Sequence, residues 1–211
     1  MWDAVPTRRT LRLVSNLTGR LLVGRYRLGR MVDEATLSST YEAYDVETRE
    51  DVAVELIARP NGAGLPSARR LRREARRIVD TTHVGLRAAR TIGVEGGVPF
   101  IVGEPVRGES LRHRLTRRGP LTIADSLAVA LQIIDALATA HAGGLVHGNL
   151  EPEKIRLIVE PAGATAAKVM GLGVTTLLGT MHDVDTRRLG TPAYLAPEQL
   201  TDPGAPSGSS G

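Results

Sequence analysis

Five histidines, at positions 83, 113, 141, 147 and 182, and a complete absence of cysteine set the first limit on the chemistry of this chain. Without cysteine there is no disulfide and no thiolate metal site, and the histidines do not fall at the spacing that zinc ligands need. His141 reads as a helix-end residue. The basic residues cluster at Arg69, Arg70, Arg72, Arg73, Arg76 and Arg77 and again over residues 112–118. Such clusters could hold anionic partners, nucleic acid or a membrane surface, with a steep salt dependence. No aromatic residues stand near them for base stacking, so specific nucleic-acid recognition is not expected, and the plainer expectation is a solvated helix face. Acidic residues stand at Asp33, Glu34, Glu55 and Glu74, and hydroxyls that could take a phosphoryl group at Thr175, Thr176, Thr180, Thr186 and Thr191. These threonines equally suit an ordinary loop.

The composition bounds the rest. Hydrophobic residues are 42% of the 211 but aromatics only 3%, so the core has to be built from Ala, Val, Leu and Ile. The 24% of charged residues argues against wholesale disorder. Net charge is +4, yet 25 of the 27 basic residues are arginine, a bias that suits a GC-rich genome as well as an acidic partner. No apolar run approaches the length of a bilayer span, and Met1–Arg12 lacks the apolar segment of a secretory signal. The expectation is a cytoplasmic protein, or the cytosolic part of a longer membrane protein.

The elements that must position these groups change character along the chain. Residues 1–23 read as a basic arm. Tyr26–Met31, Ser39–Tyr44 and Asp51–Ile57 alternate as strands do, and Ala88–Val94 and Pro99–Gly103 add two more around Glu95-Gly96-Gly97. Between them Ser67 is placed to cap a helix over Ala68–Asp80, with Leu71, Ala75, Ile78 and Val79 on one face. Beyond Gly108 the pattern is helical: Ser110–Arg118, stopped by Gly119-Pro120, then a long apolar helix from Thr122 to His141, ended by Gly143-Gly144. A helix with Leu127, Leu131, Ile134 and Leu137 on an almost wholly apolar surface is expected to be buried. Residues 201–211, all Thr, Asp, Pro, Gly, Ala and Ser, read as a flexible tail. The expected division is an arm over 1–23, a strand-rich lobe over 24–104, a helical lobe over 105–200, and the tail.

The order of short motifs carries more information than any one of them. Tyr26-Arg27-Leu28-Gly29, Ala43-Tyr44-Asp45 and Val52-Ala53-Val54 are followed by Arg72-Arg73-Glu74-Ala75 and Pro99–Glu104 with Gly108. Then come His147-Gly148-Asn149-Leu150-Glu151-Pro152 and the run Gly190–Glu198. This series resembles the bacterial serine/threonine protein kinases of the eukaryotic type over about residues 24–200. The resemblance implies an α+β, two-lobe kinase-like fold with a cleft between a β-rich lobe and a helical lobe.

Laid on that family residue by residue, the chain departs at each position of the chemistry. The three phosphate-covering glycines are matched by Asp33, Ala35 and Thr36, which also suit a polar hairpin tip. The phosphate-binding lysine is matched by Glu55, and its glutamate partner by Glu74. Two carboxylates would then face each other, so that either the helix swings out or an arginine such as Arg70 or Arg77 bridges them. The catalytic aspartate is matched by Asn149, whose amide takes up no proton. The lysine two positions on is matched by Glu151, and the magnesium-binding asparagine by Lys154. The second magnesium ligand is matched by Gly171, with Gly163–Ala167 reading as an insertion before it, and Asp183 and Asp185 fall too far along to replace it. For nucleotide binding, Ala53, Glu104 and Val106 remain at the adenine site, but Arg156 stands at its floor and Gly103, at the gatekeeper position, is expected to leave a back pocket open. Ile78, His147 and Leu172 match the apolar column joining the lobes, and Glu198 a structural acid.

These departures imply a catalytically inactive pseudokinase without a cofactor, serving as a regulatory or scaffolding module. Its expected partners are proteins: an active Ser/Thr kinase that phosphorylates the threonine segment, a forkhead-associated domain that reads the mark, or a second copy. The alternatives are a weak magnesium-independent nucleotide switch and a basic surface for anionic partners. The family's late large-lobe helices are not in the sequence, and the chain reads as C-terminally truncated.

Overall fold

The alternation read above produces one twisted antiparallel sheet. The computed structural model describes residues 11–12, 17–35, 37–60, 64, 67–161, 163–181 and 192–197. Strands β1 (Leu11–Arg12), β2 (Leu21–Leu22), β3 (Tyr26–Glu34), β4 (Ser38–Asp45), β5 (Glu50–Ile57) and β6 (Arg59–Pro60) are followed by helix α1 (Ala68–Asp80), β7 (Ala89–Glu95) and β8 (Val98–Gly103). Six of these strands pair in the order β2-β3-β4-β5-β8-β7, while β1 pairs with β6. Inward side chains of β3, β4, β5 and β8, among them Tyr26, Leu28, Tyr41, Val52, Val54, Phe100 and Val102, form one apolar cluster. The central strands β5 and β8 are buried along most of their length, as strands covered on both faces are. The arm expected over 1–23 does not end at residue 23: β2 pairs with β3 and Leu22 is buried, so the lobe begins earlier.

The second half continues with β9 (Glu109–Ser110), α2 (Leu111–Arg118), α3 (Ile123–Ala142), a 3-10 turn at Pro152–Lys154, β10 (Ile155–Val159), β11 (Thr165–Val169), α4 (Val174–Leu178) and a 3-10 turn at Pro192–Tyr194. Capping follows the sequence signals. Ser110 accepts the His113 amide at the start of α2 and Thr122 the Asp125 amide at the start of α3. Gly119 ends α2 with a positive φ of 72°. Ser67 does precede α1, though its side chain makes no capping bond. The expected insertion at Gly163–Ala167 is corrected in part. Thr165, Ala166 and Ala167 are strand residues opposite Val159, Ile158 and Leu157, which leaves the extra length in the connecting turn.

Helix α3 departs from the expectation of burial. Val129, Ala136 and Ala140 enter the core, and Leu137 packs against it. Ile123, Leu127, Leu131 and Ile134, which share one stripe at helical spacing, are 83%, 60%, 66% and 61% exposed. With 20 residues and a mean hydropathy of 1.5 the helix is also long and apolar enough to cross a membrane, against the reading that no segment reaches that length. In this fold it flanks the β10–β11 hairpin: Gln132 donates to the Thr165 carbonyl and accepts the Ala167 amide.

Candidate functional site

The cleft is built where β3, β5, the end of β8 and the β10–β11 hairpin converge. Glu55 lies on β5 with its side chain 3% exposed, because the inward face of a central strand is a core position. A buried carboxylate needs a compensating cation and hydrogen bonds. It finds both: Ser38 Oγ donates to Glu55 Oε1 at 2.7 Å, and Arg87 Nη1 donates to Glu55 Oε2 at 3.2 Å.

Arg87 is the residue the sequence reading passed over. It stands just before the stretch read as a strand from Ala88 and ahead of β7, and its side chain is only 4% exposed. Besides Glu55, its Nη2 donates to the Ala53 carbonyl at 2.9 Å and its Nε to the Glu104 carbonyl at 3.2 Å. Burial pulls the guanidinium below its ordinary pKa, opposed by Glu55 and Glu104. This corrects two expectations. Gly103 opens no back pocket, since a Cβ there would meet the Ala88 carbonyl oxygen at 2.3 Å and Arg87 Nη2 at 3.3 Å. Glu55 and Glu74 do not share a bridging arginine, because Glu55 has Arg87 while Glu74 is held by Arg73 at 2.8 Å and Arg77 at 3.0 Å. Arg70 is exposed. Arg77 also donates to the Gly143 and Gly144 carbonyls, tying α1 to the end of α3.

Lower in the cleft, Lys154 closes the 3-10 turn with its side chain 4% exposed. A Cβ added to Gly171 would lie 3.5 Å from Lys154 Cδ and 3.7 Å from Glu55 Oε1. Positions 55, 154 and 171, far apart in sequence, therefore meet around one point. Asp33, near the tip of the β3–β4 hairpin, reaches down to this floor: its carboxylate lies 3.6 Å from Lys154 Nζ and 3.4 Å from Arg156 Nη2. Lys154 and Arg156, matched to a metal-ligand position and to the adenine floor, are thus both paired to an acid of the opposite lobe. Removing this acid by Asp33→Ala is expected to cost on the order of 1–3 kcal/mol, because buried Lys154 loses its charged partner. Urea denaturation of the two proteins at pH 7 measures it.

His147 is buried between the lobes. Its Nε2 faces the Met170 carbonyl at 2.8 Å, and the Asn149 amide donates to Nδ1 at 3.3 Å, an arrangement that requires the Nε2–H tautomer. Burial above all, and then the nearby Lys154 charge, pushes its imidazole down to about 4. Ile78 and Leu172 share one core cluster, and a Cβ on Gly173 would strike Ile78 Cδ1 at 2.6 Å, so α1 packs directly on this segment. Asn149 lies partly buried and Glu151 buried beside it.

The candidate phosphorylation sites separate. Thr180 is 2% exposed and donates to the Leu177 carbonyl, so in this conformation it is not presented to an enzyme, which corrects its listing with the others. Thr175 is half-buried and donates to the His147 carbonyl at 2.6 Å, and Thr176 is half-buried. Thr36, Thr186, Thr191, Glu198, Asp183, Asp185 and residues 201–211 lie outside the described residues.

A two-lobe fold whose cleft is roofed by a hairpin and floored by a turn and a second hairpin defines a class, and comparison with known proteins agrees. The protein kinase domain model matches residues 26–210, and the chain belongs to that family. It is 30% identical to the probable serine/threonine-protein kinase pknA2 of Bifidobacterium longum over 88% of this chain and 24% of that protein. To the serine/threonine-protein kinase PrkC of Bacillus subtilis it is 30% identical, over 87% of this chain and 28% of that one. To PknA of Mycobacterium tuberculosis it is 31% identical, over 88% and 44%. The chain thus spans from 24% to 44% of the length of these relatives. Among solved structures, the PknI kinase domain of Mycobacterium tuberculosis superposes with a TM-score of 0.63 at 20% identity, over 82% of this chain and 72% of that one, a likeness of fold.

Proposed function

We propose that this kinase-family domain does not transfer phosphate and instead serves as a regulatory or scaffolding interaction module. The observation that carries the reading is the occupation of the cleft by its own side chains. Arg87 fills the space beside Gly103 and binds the carbonyls of Ala53 and Glu104, while Asp33 engages Lys154 and Arg156. In the family a nucleotide and its metal ions link the lobes through charge; here an internal acid–base cluster does so.

The residues present do not fit magnesium. The side chain nearest the positions matched to its ligands is the cation Lys154, and Gly171 offers no oxygen. Asn149 at the position of the proton acceptor removes general-base assistance. Each of these groups carries orders of magnitude in rate, so their joint replacement favours a binding role. The exposed stripe on α3 and the half-buried Thr176 supply surfaces for a protein partner, whether a second copy, an active Ser/Thr kinase or a phosphothreonine reader. Such a partner would meet the domain in the cytoplasm.

A thermal-shift titration with ATP, with and without magnesium, tests this together with a phosphotransfer assay on a generic acceptor. No metal-dependent stabilisation and no transfer are expected. Transfer that disappears on Asn149→Ala, or stabilisation by ATP that requires magnesium, would overturn the proposal.

A further inference from the structure

Behind the hinge lies a second concavity, which shares Arg87, Glu104 and Arg156 with the cleft but extends to Arg90, Arg107 and Lys168. It has a volume of about 320 Å³, at the small end of the range for ligand sites. Its charged lining is Arg87, Arg90, Arg107, Arg156 and Lys168 against Glu104 alone, and it includes neither Ala53, Val106 nor Lys154. Three segments supply the cations: the approach to and start of β7 give Arg87 and Arg90, the hinge gives Arg107, and facing positions on β10 and β11 give Arg156 and Lys168. The last two are opposite each other in register, so the hairpin necessarily presents both on the same face.

Four of the five cations have acidic partners. Arg87 pairs with Glu55, Arg90 with Glu50, Arg156 with Asp33, and Lys168 with Glu104 at 2.5 Å. Of those acids only Glu104 lines the cavity. Arg107, the fifth, is exposed and makes no ion pair among the described residues. A cavity of this size, edged by guanidinium forks, suits a compact ligand with several anionic oxygens, because arginine binds phosphate with paired, directional hydrogen bonds.

We infer that this pocket behind the hinge binds a small molecule carrying a phosphate or pyrophosphate group, without a metal ion. Its oxygens meet Arg107, with Lys168 and Arg90 at the sides. Because the donors come from both lobes and the hinge, occupancy fixes the lobes relative to each other. The inference is independent of whether the cleft transfers phosphate.

Calorimetric titration of the full chain with inorganic pyrophosphate in the presence of EDTA tests it, with orthophosphate as the weaker analogue and sodium chloride matched for ionic strength. Saturable binding of pyrophosphate is expected, unaffected by EDTA. It should weaken by about tenfold or more in Arg107→Gln, as loss of a charge-assisted hydrogen bond predicts, and similarly or less in Arg90→Gln; both side chains are exposed, so the variants should fold. Three results would each overturn the inference: the same heat from sodium chloride, no binding at all, or equal affinity in the wild type and both variants. A fourth does so too. If Asp33→Ala tightens binding while Arg107→Gln leaves it unchanged, the anion sits in the cleft and not behind the hinge.

Discussion

Arg87→Ala is expected to destabilise the protein by about 3–5 kcal/mol, the cost of leaving a buried charge without its partner. Among the described residues Glu55 is held by Arg87 and Ser38, and Ser38 cannot neutralise it. The same change strips the Ala53 and Glu104 carbonyls of a donor and leaves a void beside Gly103. Arg87→Lys should recover only part of the loss, since an ammonium on a flexible stem does not reproduce a fork that serves three acceptors. The double variant Arg87→Met with Glu55→Gln should be more stable than Arg87→Ala, because it removes the isolated charge instead of exposing it to an apolar site. Urea denaturation at pH 7 decides the matter. If Arg87→Ala stays within about 1 kcal/mol of the parent, the buried pair is not what holds the cleft together.

Acid should destabilise the protein through His147 well before the carboxylates titrate. Its folded pKa of about 4 lies below the ordinary value of 6.5, so the unfolded chain binds the extra proton first. The histidine's contribution is therefore complete above about pH 6.5, falls as the pH drops, and is gone below about pH 4; the shift corresponds to roughly 3 kcal/mol. Protonation would also turn Nδ1 from an acceptor into a donor facing the Asn149 amide. Unfolding free energies measured from pH 7 to pH 4 should show this slope in the wild type and lose most of it in His147→Asn. An identical slope in the two proteins would mean that the imidazole is not buried as described. The Asp45 carboxyl, held far below its usual range by the Arg25 guanidinium, acts in a separate window: its stabilising effect is lost only as the pH falls below the usual carboxylate value.

Local rules were enough for α1 and the main strands of the first lobe, but not for β10 and β11, which form in the part of the chain beyond Gly108 that read as helical. Helix α1 occupies the residues read for it, Ala68–Asp80, because its apolar positions recur at helical spacing. The strands differ from their expected bounds by a residue or two, apart from β3, which runs three residues further to Glu34, where the chain carries charged residues that read as a hairpin tip. The burial expected of α3 failed for a different reason. Apolar composition shows that a helix can be buried, but the contacts around it decide which face is, and the stripe through Leu127 and Leu131 faces outward in this fold.

What the sequence determined by itself was the kinase-family architecture, which follows from local type and order along the chain; the match of Glu55, Asn149, Lys154 and Gly171 to the family's chemical positions is what the resemblance implies. How the unusual charges are satisfied was decided only by tertiary structure. Arg87 lies 32 residues from Glu55, and Asp33 lies 123 residues from Arg156. Nothing in the local pattern marks such pairs as neighbours, because a buried charge takes its partner from whichever strand the fold brings within a few ångströms.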